Sequence, residues 1–294
     1  MKALPSCYFG LMREKIAKIV KLVKLQHALF ALPFTLSAMI MAAGGLPDWK
    51  VIGLIVVAFM SARSFGMALN RLIDKDIDAK NPRTAHRLMA SGGLNSRTLY
   101  PFLIFFAFLL GLCAYLLNDL CLKLLPLCYA VLILYPFTKR FTLLAHTVLG
   151  LVLSLAPIGA WAAVTNQLDW APLYLGLSIL FWVNGFDIIY AIQDEDFDRD
   201  NKLHSVPARL GKAGALKVAF CLHLVVPVFW FMVGQTMGYS EAYFSCIGLL
   251  TILLVGEHIL VHRGYQKNLG LAFFKLNSTI SVIYLIGIVA EVFF

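Results

Sequence analysis

Residues 70–84 read Asn-Arg-Leu-Ile-Asp-Lys-Asp-Ile-Asp-Ala-Lys-Asn-Pro-Arg-Thr, and they begin where a long apolar run ends. Asp74 and Asp78 are four residues apart, so on a helix that continues from the apolar run their carboxylates share one face, with Asn70 one turn earlier. Asp76 points to the opposite side of that helix. The stretch therefore predicts a pair of carboxylates at the end of a helix.

A second acidic stretch follows a later apolar run in the same way. Asp194 and Asp198 are again four residues apart, and Asp187 lies two helical turns before Asp194. Carboxylates that face each other at a membrane surface repel unless cations bridge them. Hard divalent ions, Mg²⁺ above all, take oxygen ligands and can hold a diphosphate at the same time. Two solvated acidic loops are the simpler alternative, but the shared register favours a metal–diphosphate site formed by Asp74, Asp78, Asp194 and Asp198.

The composition indicates a polytopic membrane protein. Of the 294 residues 60% are hydrophobic, and the mean hydropathy is +0.80. A net charge of +9 would suit a nucleic-acid partner, but the basic residues lie between apolar runs, where they act as topology signals. We therefore predict no nucleic-acid binding. The six cysteines form no CxxC pair and are assigned no redox or metal role.

Most of the chain divides into apolar runs of roughly 20 residues, the length that a membrane-spanning helix needs. We place nine spans at about 27–45, 51–72, 98–117, 121–137, 142–164, 171–193, 213–235, 242–261 and 269–292. Residues 1–26 precede the first span, and their lysines and arginine alternate with aliphatic residues from residue 13 onward. This pattern is typical of a basic interfacial helix on an anionic leaflet.

The basic residues between the spans predict the orientation. If nine spans are threaded alternately, twenty Lys and Arg fall on one side of the membrane and Lys50 alone on the other. The positive-inside rule then places the N-terminus and both acidic motifs in the cytoplasm. The predicted fold is all-α, a bundle of nine transmembrane helices in a single domain over residues 1–294, with a cavity that faces the cytoplasm.

Charged residues near the acidic motifs complete the predicted site. Arg63 lies two turns deeper than Asn70 on the same helix face, and an arginine inside a span is functional by default. Arg83 and Arg87 follow the first motif. Lys139 and Arg140 end the fourth span. For any single one of these basic residues, a structural ion pair or the positive-inside bias is the simpler explanation. Arg binds phosphate through two hydrogen bonds and Lys as a point charge, so the set suits a diphosphate.

Four histidines within or next to spans receive a simpler interpretation. His146 and His223 are expected to make polar contacts between helices. His258 and His262 are four residues apart, but two histidines without further ligands do not predict a metal site.

At these motifs the sequence resembles the UbiA superfamily of intramembrane prenyltransferases. The family's Asn-x-x-x-Asp-x-x-x-Asp motif matches residues 70–78, and its second motif, an Asp and Tyr-Ala followed by Asp-x-x-x-Asp, matches residues 187–198. A Tyr-Pro-x-x-Lys-Arg element matches residues 135–140. Residues 25–34 and 81–84 look most like sequences grouped with the 4-hydroxybenzoate polyprenyltransferases. The resemblance covers essentially the whole chain.

The resemblance implies Mg²⁺-dependent transfer of a polyprenyl chain from its diphosphate to an aromatic acid, 4-hydroxybenzoate or alternatively a dihydroxynaphthoate. The acceptor-side arginine of the family's first span is not evident here, which leaves Lys24 or His27 as substitutes. The residues assigned to the site are, for catalysis, Asp74, Asp78, Asp194, Asp198, Lys139 and Arg140, and, for substrate binding, Asn70, Arg63, Arg83, Asp187, Tyr190 and Lys24.

A membrane transporter is the competing class, since intramembrane charges suit one as well. Both acidic motifs, however, lie at the ends of spans and not at the midplane of the membrane, which favours an enzyme.

Overall fold

The computed structural model describes residue 28 and residues 30–294, without the side chains of residues 265–268, 271 and 272. Within these residues the chain is helical and contains no β-strand, so the predicted all-α class is confirmed. The predicted interfacial helix over residues 1–26, including Lys24, and also His27 lie outside the described residues.

The helices follow one another with short connections. In chain order they are α1 (Leu32–Ala43), α2 (Trp49–Ile73), α3 (Lys75–Lys80), α4 (Ser96–Leu117), α5 (Asp119–Thr138), α6 (Ala145–Thr165), α7 (Trp170–Ala191), a 3₁₀ turn (Ile192–Asp194), α8 (Glu195–Asp200), α9 (Val206–Met237), α10 (Glu241–Gly270), a π-helical segment (Leu271–Leu276) and α11 (Asn277–Phe293).

Eight segments of the described chain are long and apolar enough to cross a membrane. The first predicted span, 27–45, corresponds to α1, whose 12 residues are fewer than a span needs. Part of that predicted span lies outside the described residues, so the count of nine stays a prediction. Two of the long helices are broken at glycine: α9 at Gly211, with φ 68°, and α10 at Gly264.

The centre of the bundle is α7. In its apolar stretch 67% of the residues are buried, against 39% or fewer in the other spans. It packs chiefly against α6 and α9. Glycines permit this close packing: a Cβ on Gly150 of α6 would lie 2.4 Å from the backbone oxygen of Leu180 on α7. Small residues of this kind let two membrane helices approach backbone to backbone.

Hydrogen bonds between loops define the two ends of the bundle. At one end Asn118, which caps the start of α5, donates to the carbonyl of Ala162 at 2.7 Å. At the other end the loop after α5 meets the loop after α8, where the His204 N–H donates to the Lys139 carbonyl at 2.7 Å. Both acidic motifs lie at this second end.

Cysteine labelling should show which compartment each end faces. In a variant that lacks the native cysteines, Lys80→Cys is expected to react only with reagents that reach the cytoplasm, whereas Gln167→Cys should also react with an external, membrane-impermeant maleimide. Both side chains are exposed, and they lie at opposite ends of the bundle. Reaction of Lys80→Cys with the external reagent would reverse the orientation that the basic residues predict.

Candidate active site

The first acidic motif lies at a break between two helices. Helix α2 ends at Ile73 and α3 begins at Lys75, with Asp74 between them. The Asp78 N–H still donates to the Asp74 carbonyl at 2.7 Å, so the helical path nearly continues. Asp74 and Asp78 are buried, whereas Asp76 is exposed. The structure therefore places the two predicted carboxylates on one inner face and Asp76 away from them.

Three polar side chains contact the Asp74 carboxylate. Asn70 donates its side-chain amide to Asp74 Oδ2 at 3.0 Å, one turn away. The Lys139 ammonium lies 2.9 Å from Oδ2, and the Arg140 guanidinium lies 3.4 Å from Oδ1. Arg140 also donates to the Ile73 carbonyl at 2.7 Å, which satisfies one of the carbonyls at the end of α2. The basic end of α5 thus lies directly on the first motif.

Asp78 is held by Arg87. Arg87 Nη1 contacts both carboxylate oxygens at 2.7 and 2.8 Å, and Arg71 Nη1 lies 3.8 Å from Oδ2. The Thr84 hydroxyl donates to the Asp78 carbonyl at 3.0 Å, which folds the loop after α3 back onto the motif. The charge of a buried carboxylate is stabilised only by such partners.

The second motif is joined to the first by Arg83. Its Nε donates to Asp194 Oδ1 at 2.9 Å, and its Nη2 donates to Oδ2, so the pair is bidentate. Asn81 donates to the same Oδ1 at 2.8 Å, and the Tyr190 hydroxyl accepts from Arg83 Nη1 at 3.1 Å. Burial alone lowers the pKa of Arg83, but the hydrogen bonds to Asp194 and its charge outweigh burial and raise that pKa.

Two further acidic residues lie beside this junction. Asp198, on α8, is partly buried and hydrogen-bonds with Ser205. Asp187, on α7, pairs with His146 of α6, whose Nδ1 lies 2.7 Å from Asp187 Oδ2. The charge of Lys139 acts on Asp198, which places the two side chains close together.

The structure thus brings most of the predicted residues together at one end of the bundle. Asp74, Asp78, Asp187, Asp194, Asp198, Asn70, Tyr190, Arg83, Lys139 and Arg140 lie on neighbouring or directly hydrogen-bonded segments. Arg63 lies on α2 about two turns before Asn70, and it is partly buried. Lys24 is outside the described residues.

The sequence pattern predicts no role for Asn81, and for His146 it predicts only a contact between helices. Asn81 belongs to the Asn-Pro-Arg-Thr stretch. The only hint of its role in the sequence is that an amide side chain stands two residues before an arginine. For His146 the only signal was a histidine at the start of a span.

Buried His223 and partly buried His258 form a separate contact in the second half of the bundle. His223 of α9 contacts His258 of α10 at 2.9 Å and the Trp182 carbonyl of α7 at 3.0 Å. The predicted helix–helix role of His223 is therefore observed.

The donor set of the two acidic motifs suits a hard divalent cation, because it consists of carboxylate and amide oxygens. Among the residues that the structure describes, no group of three or more His, Cys, Asp or Glu side chains could hold a metal ion by itself. Asp74, Asp78 and Asp194 instead form ion pairs with basic side chains. The same basic side chains could also bind the oxygens of an anionic ligand.

The comparisons with known proteins agree with this arrangement. The profile of the UbiA prenyltransferase family matches residues 31–279. The chain is 29% identical to a protein of Vibrio campbellii named 4-hydroxybenzoate octaprenyltransferase, over 86% of this chain and 89% of that one.

Solved structures show the same architecture. The apo structure of a UbiA homologue from Aeropyrum pernix has a TM-score of 0.82 and 28% identity, and the match covers 91% of this chain and 98% of that one. A UbiA homologue from Archaeoglobus fulgidus, bound to GPP and Mg²⁺, has a TM-score of 0.70. It is 18% identical, with 93% of this chain and 99% of that one covered, and this likeness supports the fold.

The chain belongs to the UbiA prenyltransferase family. The family resemblance found in the sequence is therefore confirmed, and the protein is an integral membrane prenyltransferase, not a transporter.

Proposed function

We propose that this protein transfers a polyprenyl chain from polyprenyl diphosphate to the ring of 4-hydroxybenzoate, with Mg²⁺, in the biosynthesis of a ubiquinone-type quinone. The observation that carries the proposal is the junction at Arg83, which joins Asp194 of the second acidic motif to the loop that follows the first. The names of relatives such as the Vibrio campbellii protein support 4-hydroxybenzoate as the acceptor.

The site is suited to a diphosphate leaving group. Asp74, Asp78, Asp194 and Asp198 would hold Mg²⁺, which when bound supplies positive charge against the diphosphate. Lys139, Arg140 and Arg83 already lie on these carboxylates, at distances from which they can contact phosphate oxygens as well. Fixed positive charge of this kind stabilises the negative charge that develops on the leaving group. These basic residues therefore favour departure of the diphosphate.

The reaction needs a dry environment as well as charge. When the allylic C–O bond breaks, its electron pair leaves with the diphosphate, and a ring carbon of the acceptor forms the new C–C bond with its own electrons. Loss of the proton from that carbon restores the aromatic ring. The allylic cation must be kept from water until the ring attacks, and the apolar helices around the site provide that exclusion. The aromatic contact between Tyr190 and Phe273, with ring centroids 4.2 Å apart, lies beside the charged junction.

The location of the enzyme follows from the same proposal. A single domain over residues 1–294 is inserted in the bacterial plasma membrane, with its N-terminus and active site on the cytoplasmic side. The lipid bilayer holds the long prenyl tail, and no nucleic acid takes part. A dihydroxynaphthoate acceptor, for a menaquinone-type quinone, is the alternative within the same reaction class.

A transfer assay with a panel of acceptors tests the proposal. Purified protein in lipid vesicles, radiolabelled polyprenyl diphosphate and Mg²⁺ are combined with 4-hydroxybenzoate, 1,4-dihydroxy-2-naphthoate or benzoate. Label is expected to appear in the product of 4-hydroxybenzoate and to vanish with EDTA. Transfer to the naphthoate alone would establish the alternative acceptor, and no transfer to any aromatic acid would refute the proposal.

Arg63 is the proposed counter-ion of the acceptor's carboxylate. It lies about 10 Å from Asn70 along α2, at 1.5 Å per residue, on the face that carries Asp74. Arg63→Lys keeps the charge but loses the planar fork, so we expect the KM for the aromatic acid to rise about tenfold. The KM for prenyl diphosphate should stay within about twofold of wild type. A rise confined to the prenyl diphosphate would instead assign Arg63 to the leaving group.

A further inference from the structure

The pair formed by His146 and Asp187 joins two helices at the edge of the acidic site. His146 Nδ1 lies 2.7 Å from Asp187 Oδ2. The His146 side chain is 7% exposed and the Asp187 side chain 23%, so the part of the pair that a substrate can reach is the carboxylate. Asp187 lies on α7, two turns before Asp194.

The surroundings of the second ring nitrogen of His146 indicate which nitrogen donates to Asp187. Nε2 is buried and has no hydrogen-bond partner among the residues that the structure describes. A carboxylate oxygen can only accept, so Nδ1 carries the proton that is donated to Asp187. If Nε2 carried a proton too, a buried N–H donor would be unsatisfied at a cost of about 1–3 kcal/mol. The geometry thus favours a ring that donates from Nδ1 to the Asp187 carboxylate.

The close approach of α6 and α7 produces this contact. Gly150 lies one turn after His146, and its missing side chain lets the α6 backbone approach Leu180 of α7. Asn184 of α7 donates to the Thr147 hydroxyl of α6 at 2.9 Å, which fixes the register of the two helices beside the pair. The orientation of the Asp187 carboxylate is therefore set from outside α7.

We propose that His146 is a positioning residue which aims the Asp187 carboxylate at the hydroxyl group of the aromatic acceptor. This inference rests on the proposed function and deepens it. The acceptor hydroxyl donates a hydrogen bond to Asp187, which raises electron density at the neighbouring ring carbon that attacks the prenyl group. Arg63 and Asp187 then recognise the two ends of 4-hydroxybenzoate, the carboxylate and the hydroxyl. Tyr135 and Asp198 are titratable groups that lie close to the pair.

A binding experiment separates this role from a purely structural one. Binding of 4-hydroxybenzoate and of benzoate, which lacks the hydroxyl, is measured by isothermal titration in nanodiscs. Wild-type protein is expected to prefer 4-hydroxybenzoate about tenfold, the value of a hydrogen bond to a charged group. His146→Leu should lose that preference, while His146→Asn, whose amide nitrogen replaces Nδ1, should restore most of it. Binding of the prenyl diphosphate with Mg²⁺ should be the same in all three proteins.

The double variant completes the test. In an Asp187→Ala background, His146→Leu is expected to produce no further loss of preference, because the two residues act as one unit. The inference is refuted if wild-type protein does not distinguish the two acids, if His146→Leu keeps the preference, or if the two substitutions add. Absence of prenyl transfer by a wild-type protein that still shows the preference would refute the proposed function alone.

Discussion

Replacing Asp194 by alanine is expected to lower prenyl transfer by about two to three orders of magnitude, the cost of removing one group that stabilises transition-state charge. Asp194 accepts hydrogen bonds from Arg83 and Asn81 and joins the two acidic motifs. Its loss removes one proposed Mg²⁺ ligand and also releases Arg83 from its position. Asp74→Ala should have an effect of similar size, because Asp74 is the contact point of Lys139 and Asn70.

The matched control for these variants is Asp76→Ala. Asp76 lies between Asp74 and Asp78 in the sequence, but its side chain is exposed on the other side of α3. We expect its transfer rate to stay within about twofold of wild type, as for surface substitutions that touch no partner. Initial rates and size-exclusion profiles of all three variants check the expectation. Equal losses in all three would show that the inner face of the motif has no special role.

Gly150→Ala is expected to damage both stability and catalysis. The added Cβ would lie 2.4 Å from the Leu180 carbonyl oxygen and 3.1 Å from its Cα, and backbone atoms cannot rotate away as a side chain can. Overpacking of this kind costs about 1–3 kcal/mol. Separation of α6 from α7 also lengthens the contact between His146 and Asp187, and a misplacement of about 1 Å can cost about a hundredfold in rate. Thermal unfolding and initial rates measure the two effects.

Gly159→Ala on the same helix is the control. A Cβ at Gly159 meets nothing within 4 Å, so the substitution only improves helix propensity, by about 0.5–1 kcal/mol. A melting temperature at or above that of wild type, with an unchanged rate, is expected. If Gly150→Ala behaves in the same way, the close approach of α6 and α7 does not position the site.

The sequence alone determined the class of fold and the location of the acidic motifs. A long apolar run in lipid must form a helix, since only a helix satisfies its backbone hydrogen bonds internally. The predicted spans 98–117 and 142–164 therefore lie close to the helices Ser96–Leu117 and Ala145–Thr165. The four-residue spacing placed Asp74 and Asp78 on one face, because 3.6 residues per turn is a local property of the chain.

Only the tertiary structure decided which basic residue meets which carboxylate. The pairs Arg83–Asp194 and Lys139–Asp74 join residues that are far apart in the sequence, so no local spacing encodes them. Nor does any sequence pattern show that α6 and α7 touch at Gly150, on which the contact of His146 with Asp187 depends. Local periodicity specifies a helix and its faces, but the partner of each face is set by how all the helices pack together.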